Sequence, residues 1–261
     1  MGCPTAIDRE DALPKDSWTR RAGRVLGLVL LFVSSAAFAE DRVAKARAAK
    51  AERIRQLFQQ AQVAYPPAEL YLRAFKTEGE LELWAGDKGK PLVKVKTYPI
   101  CASSGGLGPK RQQGDLQVPE GFYWIRDFNP RSNFHLSMGL DYPNASDRVR
   151  GVKGNLGGDI YVHGSCVTVG CIPIEDDAIE EVYLVALEMR NRGRRIPVHV
   201  FPRRMDAPGM DWLKERAGTD AALLDFWREL APGYTSFEQS RRPPTFSVDP
   251  KTGRYQVRAG R

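Results

Sequence analysis

Histidine is scarce in this chain, three in 261 residues, and there are only four cysteines. That leaves little material for a metal centre. Cys166, Cys171, His163 and Asp159 lie close in sequence, but their intervals match no usual zinc pattern, so neither metal nor cofactor is expected. No stretch repeats internally and no low-complexity linker divides the chain. The one long apolar run, Val25–Val33, is too short for a comfortable membrane span. No basic stripe with interleaved aromatics argues for nucleic acid. The glycine-rich segment Cys101–Asp115 fits no phosphate-loop spacing and leads into no helix, so no nucleotide is expected either.

What is present is the composition of an ordinary globular protein, 42% hydrophobic and 27% charged. The net charge of +7 suits an anionic polymer or surface, and cell-wall glycan peptides fit as well as anionic lipid. Near the N-terminus, Arg20, Arg21 and Arg24 precede the apolar run, and small residues follow up to Ala37-Phe38-Ala39. This order is that of a secretory signal peptide over residues 1–39, with a retained N-terminal anchor as the alternative. Removal of that segment takes Cys3 away and leaves Cys101, Cys166 and Cys171 in an oxidising compartment. An odd number leaves one thiol unpaired. The economical arrangement joins Cys101 to Cys166 and frees Cys171, although sequence carries no proximity and the other pairings stay open.

Residues 41–62 are rich in alanine and charge and predict a helix with a thin apolar stripe, solvated or loosely docked. Alternating apolar residues predict strands at 70–75, 81–84 and 91–98, then at 122–125 and 134–140. A helical stripe runs through Ile179, Val182, Tyr183, Ala186 and Leu187, stopping at Gly193, before a buried strand at 196–201. Helices are expected at 210–213 and 221–230, broken by Pro232-Gly233, and a hairpin at 245–257 closes the chain. His135 and His199 read as structural histidines. The fold class is mainly β with flanking helices, α+β.

The chemistry concentrates in Asp159–Pro173. A short strand, Ile160-Tyr161-Val162, delivers His163, and a tight loop then reaches Cys171 between Gly170 and Ile172. An acidic helix start follows at Glu175-Asp176-Asp177, where backbone N–H groups would favour a thiolate. A spare thiol with a nearby histidine reads as a nucleophile with its base. A binding module with a structural Cys171 is the competing reading.

Tyr161-Val-His-Gly164 followed by Thr168-Val-Gly-Cys171 resembles the L,D-transpeptidase (YkuD-like) catalytic domain over roughly residues 68–202. The likeness implies a β-sandwich catalytic domain, preceded by a helical lead-in at 40–67. At 203–261 it implies a C-terminal extension of helices and a hairpin packed on that domain. It makes Cys171 the acyl-accepting nucleophile, His163 its base, and the backbone at Gly170 and Cys171 an oxyanion hole. Lys110, Arg111 and Arg148 become candidate carboxylate holders, with Ser104, Gly105 and Thr168 lining the substrate cleft. Two positions depart from the family pattern: Val169 stands where histidine is usual, and Pro173 where arginine is usual. These variations, with Gly105-Gly-Leu-Gly-Pro-Lys-Arg111 and Phe237–Pro244, are similar to the YafK/DpaA branch. That similarity implies a periplasmic amidase acting on peptidoglycan stem peptides. It would release a murein-bound outer-membrane lipoprotein from diaminopimelate. A true transpeptidase making 3–3 cross-links or attaching lipoprotein is the alternative.

Overall fold

A computed structural model describes residues 34–258, with side chains from Arg42 onward. The expected signal peptide at 1–39 lies outside the described residues, apart from the stretch that opens the first helix. No described helix is long and apolar enough to cross a membrane.

Helix α1 (Ser34–Gln60) is followed by an antiparallel meander, β1 (Glu69–Phe75), β2 (Glu80–Gly86) and β3 (Val93–Pro99). Next come β4 (Gly121–Ser132), β5 (His135–Leu140), α2 (Ala145–Arg150), β6 (Tyr161–His163), β7 (Ile172–Pro173), α3 (Asp176–Asn191) and β8 (Pro197–Phe201). The chain closes with α4 (Ala207–Ala217), α5 (Ala221–Ser240) and a hairpin of β9 (Thr245–Val248) and β10 (Tyr255–Arg258). Eight strands form one sheet in the order β3-β2-β1-β8-β4-β5-β6-β7. The long strand β4 joins its halves: Gly121–Trp124 pair with β8, and the residues from Ile125 onward pair with β5. The architecture is α+β, a large curled mixed sheet with flanking helices.

The centre of the sheet is buried on both faces, because apolar residues occupy both phases of its strands. Leu70, Leu72 and Ala74 of β1 and Val198 and Val200 of β8 join the core beneath α1 and α3. The opposite phase, Phe75, Phe122 and Phe201, packs against Leu213, Trp227, Leu230 and Tyr234 of α4 and α5. Strands buried on both sides read as continuous apolar runs rather than alternations.

Three local outcomes refine the sequence expectations. Of the two forms expected for α1, solvated or loosely docked, the structure shows the docked one: Ala46, Ile54 and Phe58 are buried, and Arg47 pairs with Glu188 of α3 at 2.7 Å. With Leu57 these make four buried apolar residues, and they suffice because α3 offers a complementary face. Helix α5 runs unbroken through Pro232. Proline removes one hydrogen bond there, while Gly233 lets Phe122 approach to a position where a Cβ would sit 2.6 Å from the ring. Packing against Phe122 outweighs the lost bond. After Asn144 the chain forms a short capped helix, α2, which the sequence reading did not include. The Asn144 side chain accepts from the Asp147 N–H while the Asp147 carboxylate accepts from the Asn144 N–H.

Two buried polar clusters fasten the C-terminal helices to the sheet. Arg73 donates to Glu82 (2.7 and 3.0 Å) and to Glu238 of α5 (2.7 Å), among Phe75, Trp84, Tyr234 and Phe237. Trp227 donates its indole N–H to Glu120 at 2.8 Å. The other Glu120 oxygen accepts from the Gly108 N–H at 2.7 Å and pairs with Lys76 at 3.0 Å. Lys76 in turn donates to the carbonyls of Gly108 and Val118. The glycine-rich segment is therefore held from beneath by α5. Trp227→Ala should destabilise the protein by about 3–5 kcal/mol, through a cavity and an unpartnered carboxylate oxygen. Denaturant unfolding measures this, and Trp227→Phe should cost distinctly less.

Candidate active site

Strands β6 and β7 run parallel, with Val162 opposite Ile172 and His163 opposite Pro173. Val162 and Ile172 both point into the core. Their neighbours Tyr161, His163 and Cys171 therefore project from the other face. This follows from strand alternation. Cys171 precedes β7 by one residue, so the thiol lies opposite Tyr161 and diagonal to the imidazole. Such diagonal neighbours are on the order of 7 Å apart at Cβ, within reach of a ring side chain.

Cysteines 101 and 166 are joined in a disulfide, Cα to Cα 5.6 Å, and Cys171 is free and partly exposed. The Cys171 thiol donates to the Asp159 carbonyl (3.5 Å), and its sulfur accepts the Tyr161 N–H (3.4 Å). His163 is buried and packs on Phe134, ring centroids 4.8 Å apart. Its Nδ1 is hydrogen-bonded to the Gly164 carbonyl. A carbonyl only accepts, so the proton sits on Nδ1 and Nε2 keeps its lone pair. Among the described residues no hydrogen bond reaches Nε2. No hydrogen bond among the described residues joins the thiol to the imidazole, and catalytic hydrogen bonds often tighten only in the substrate complex.

Burial sets both protonation states. It pushes the Cys171 thiol above its ordinary 9.0, opposed by the Tyr161 N–H. It pushes His163 below 6.5, opposed by the Gly164 carbonyl. Both groups are neutral at rest. The expected help from the α3 N-terminus does not reach the sulfur, because β7 intervenes and the helix start is bound elsewhere. Asp176 there accepts from the Ser165 N–H at 2.7 Å, and a Cβ at Gly164 would collide with the same carboxylate. Alkylation of Cys171 by iodoacetamide should therefore keep rising with pH past 9. A plateau below neutrality would reveal a preformed thiolate–imidazolium pair instead.

The thiol borders a cavity of about 210 Å³ lined by Lys76, Cys101, Ala102, Ser103, Val118 and Ile172. In the loop between His163 and Cys171, Val167 and Val169 are 55% and 75% exposed, and Phe134, packed on His163, is 41% exposed. Asp159, Ser165 and Glu175 all adopt positive φ (56, 60 and 65°), so backbone strain clusters here.

The other residues singled out from sequence are engaged within the protein. Lys110 is buried and bound to Asp115 (2.5 Å) and the Gln112 carbonyl (2.9 Å), although its charge still favours the Cys171 thiolate. Arg111 lies over Phe226 and 3.6 Å from Asp147, and Arg148 donates to the Pro143 carbonyl. Ser104 donates to the Leu116 carbonyl at 2.8 Å, and Gly105 (φ 68°) packs where a Cβ would meet that carbonyl at 2.8 Å. Thr168 ties the turn below the thiol, donating to the Cys171 carbonyl (2.8 Å) and accepting the Gly170 N–H (3.1 Å). The Gly170 N–H is thus engaged in the loop rather than aimed at a developing oxyanion. Two contributors were not legible in sequence. Lys76 fell just beyond the strand predicted at 70–75 and drew no expectation, and Phe134 looked like one more strand residue. His199 is a core histidine, bonded to the Tyr71 hydroxyl at 2.7 Å and held neutral by burial, its pKa down to about 3. His135 meets Glu180 at 2.9 Å. Among the described residues the one group of potential metal ligands is Cys101, Cys166 and Glu175. Two of its sulfurs are bonded to each other.

No family model matches the chain. It is 36% identical over 191 residues to "Putative L,D-transpeptidase YafK" of Escherichia coli strain K12, covering 72% of this chain and 73% of that protein. The protein of the same name from Escherichia coli O157:H7 matches to the same extent. The chain belongs to the L,D-transpeptidase family. Solved structures similar to this L,D-transpeptidase-family chain include the helical cell shape determining protein Pgp2 of Campylobacter jejuni. That match has 21% identity and a TM-score of 0.44, over 69% of this chain and 73% of that one. Bd1075 of Bdellovibrio bacteriovorus matches at 17% identity and a TM-score of 0.36, over 66% and 62% of the two chains.

Proposed function

We propose that this L,D-transpeptidase-family protein is a periplasmic cysteine enzyme that hydrolyses an amide at the diaminopimelate residue of peptidoglycan stem peptides. The amide it cleaves is the one that links a lysine-attached outer-membrane lipoprotein to the wall. The observation that carries the reading is the free thiol of Cys171 at a cavity mouth, on the same sheet face as a neutral imidazole with an unpartnered Nε2. Catalysis through a neutral pair follows directly. As sulfur attacks the diaminopimelyl carbonyl, the thiol proton passes to His163 Nε2 and an S–C bond forms. The tetrahedral adduct collapses with loss of the C–N bond, and the imidazolium returns its proton to the departing lysine amine. Water, deprotonated by the same nitrogen, then opens the thioester to a free carboxylate and restores the thiol. The N-terminal leader and the Cys101–Cys166 disulfide support an oxidising, extracytoplasmic setting. Exposed Val167 and Val169, in the loop that leads to Cys171, support a bulky, partly apolar leaving group.

One observation favours a second reading. The relative's name is that of a transpeptidase, and an amine in place of water would make 3–3 cross-links or attach lipoprotein from the same thioester. Incubation with lipoprotein-loaded sacculi, followed by mass analysis of the digest, separates the two. Free lipoprotein with unlinked tripeptide ends is the expected outcome. Diaminopimelate–diaminopimelate dimers without lipoprotein release would overturn it.

A further inference from the structure

At the opposite end of β1 and β8 from the thiol, a second and larger cavity of about 850 Å³ opens between α3, β4 and the lead into β9. Five cations border it: Lys88, Arg194, Arg195, Arg242 and Arg258, against the single carboxylate Glu69. Glu69 is itself engaged with the Gly89 N–H at 3.2 Å. Elsewhere most cations at comparable positions are paired, as Arg73, Lys76, Lys96 and Arg150 are. Among the described residues, none of the five at this basin has an ion-pair partner. Arg195 lies 4.0 Å over the Trp124 ring, which orients its guanidinium toward the basin wall. Arg242 has a buried Nε without any hydrogen-bond partner, an arrangement that costs free energy unless something accepts from it. Five like charges gathered with one carboxylate among them repel, and an anionic ligand would relieve both costs at once.

The floor narrows the ligand class. Leu70, Met189 and Pro243 provide apolar surface between the cations. An inorganic anion would leave that surface uncovered. A nucleobase would find the Trp124 face already taken by Arg195. A chain alternating carboxylates with short aliphatic groups meets both features, since planar guanidinium groups bind carboxylates in bidentate fashion. We infer that this basin is a binding site for an acidic peptide, separate from the Cys171 cavity. The inference rests on charge and shape alone and stands whether or not the thiol is catalytic.

The test uses the full chain with Cys171 alkylated by iodoacetamide, so that the thiol cavity does not contribute. A hexapeptide alternating aspartate and alanine is titrated calorimetrically at low ionic strength, beside its asparagine counterpart. The aspartate peptide should bind at least about tenfold more tightly than the asparagine peptide, and added salt should weaken it. The Arg194→Gln/Arg195→Gln/Arg242→Gln variant should lose about tenfold or more in affinity. Lys88→Gln/Arg194→Gln alters only exposed residues, so its expected loss of about threefold is independent of any folding defect. Lys214→Gln/Arg216→Gln, on the exposed side of α4, removes equal charge elsewhere and should leave affinity unchanged. Equal binding of the two peptides, or undiminished binding by the triple variant, would overturn the assignment. So would absence of peptide binding beside tight binding to vesicles of phosphatidylcholine and phosphatidylglycerol in equal parts, which would make the basin a membrane contact.

Discussion

Cys171→Ala is expected to abolish acyl-enzyme formation completely. With wild-type protein and a diaminopimelate-containing muropeptide, intact-mass spectrometry should show one added acyl group that hydroxylamine removes. The alanine variant should show none at any time point. Stability should change little, because the thiol is partly exposed and makes only two long hydrogen bonds, to Asp159 and Tyr161. An effect within about 1 kcal/mol is expected for so small a truncation at a half-buried site. The pairing of a total chemical loss with a small stability change is the diagnostic. Turnover of sacculi by the alanine variant would remove the thiol from the mechanism altogether. Unfolding of the variant would make Cys171 a structural residue and favour the binding-module reading.

The second large effect belongs to His163. Replacement by glutamine keeps a polar side chain of similar reach but removes a base, and acylation should slow by about 10²- to 10⁴-fold. That corresponds to about 3–5 kcal/mol of transition-state stabilisation. The pH profile separates a base from a merely structural residue. Burial lowers the His163 pKa below 6.5, so the wild-type rate should persist below pH 6.5 and fall only as the ring protonates. In His163→Gln that acid limb should vanish. The residual rate should instead track ionisation of the thiol, whose pKa burial raises above 9.0, and so climb with pH across the alkaline range. A glutamine variant that keeps the acid limb would assign it to another group, with Asp147 the candidate. That carboxyl is buried and its pKa is raised to about 6.

Much of this arrangement was legible beforehand. Alternation placed β1, β2 and β3 to within a few residues, and the stripe from Ile179 to Leu187 located α3 with its stop at Gly193. The second half of β4 was not seen, because Arg126, Asp127, Asn129 and Pro130 interrupt the apolar pattern. Those residues form a strand because β5 offers hydrogen-bonding partners, which no local signal announces. Helix α2 did carry a signal, the Asn144–Asp147 spacing of a capping box, and no helix was read there. At the site, nearness in sequence sufficed to bring His163 and Cys171 onto adjacent strands. Arg111 and Arg148 were plausible substrate holders by charge alone. Their partners, Asp147, Phe226 and the Pro143 carbonyl, include groups reached only by folding.

Sequence by itself determined which atoms could react, a cysteine eight residues from a histidine, and the phases in which apolar side chains alternate. These are local properties, set by residue identity and spacing. Tertiary structure decided that thiol and imidazole are both neutral, that α5 continues through Pro232, and that Lys110 is bound inward to Asp115. It also gathered Lys88, Arg194, Arg195, Arg242 and Arg258 around one basin from three distant parts of the chain. Desolvation, ion pairing and packing depend on which groups meet through space, and a linear pattern holds no record of those meetings.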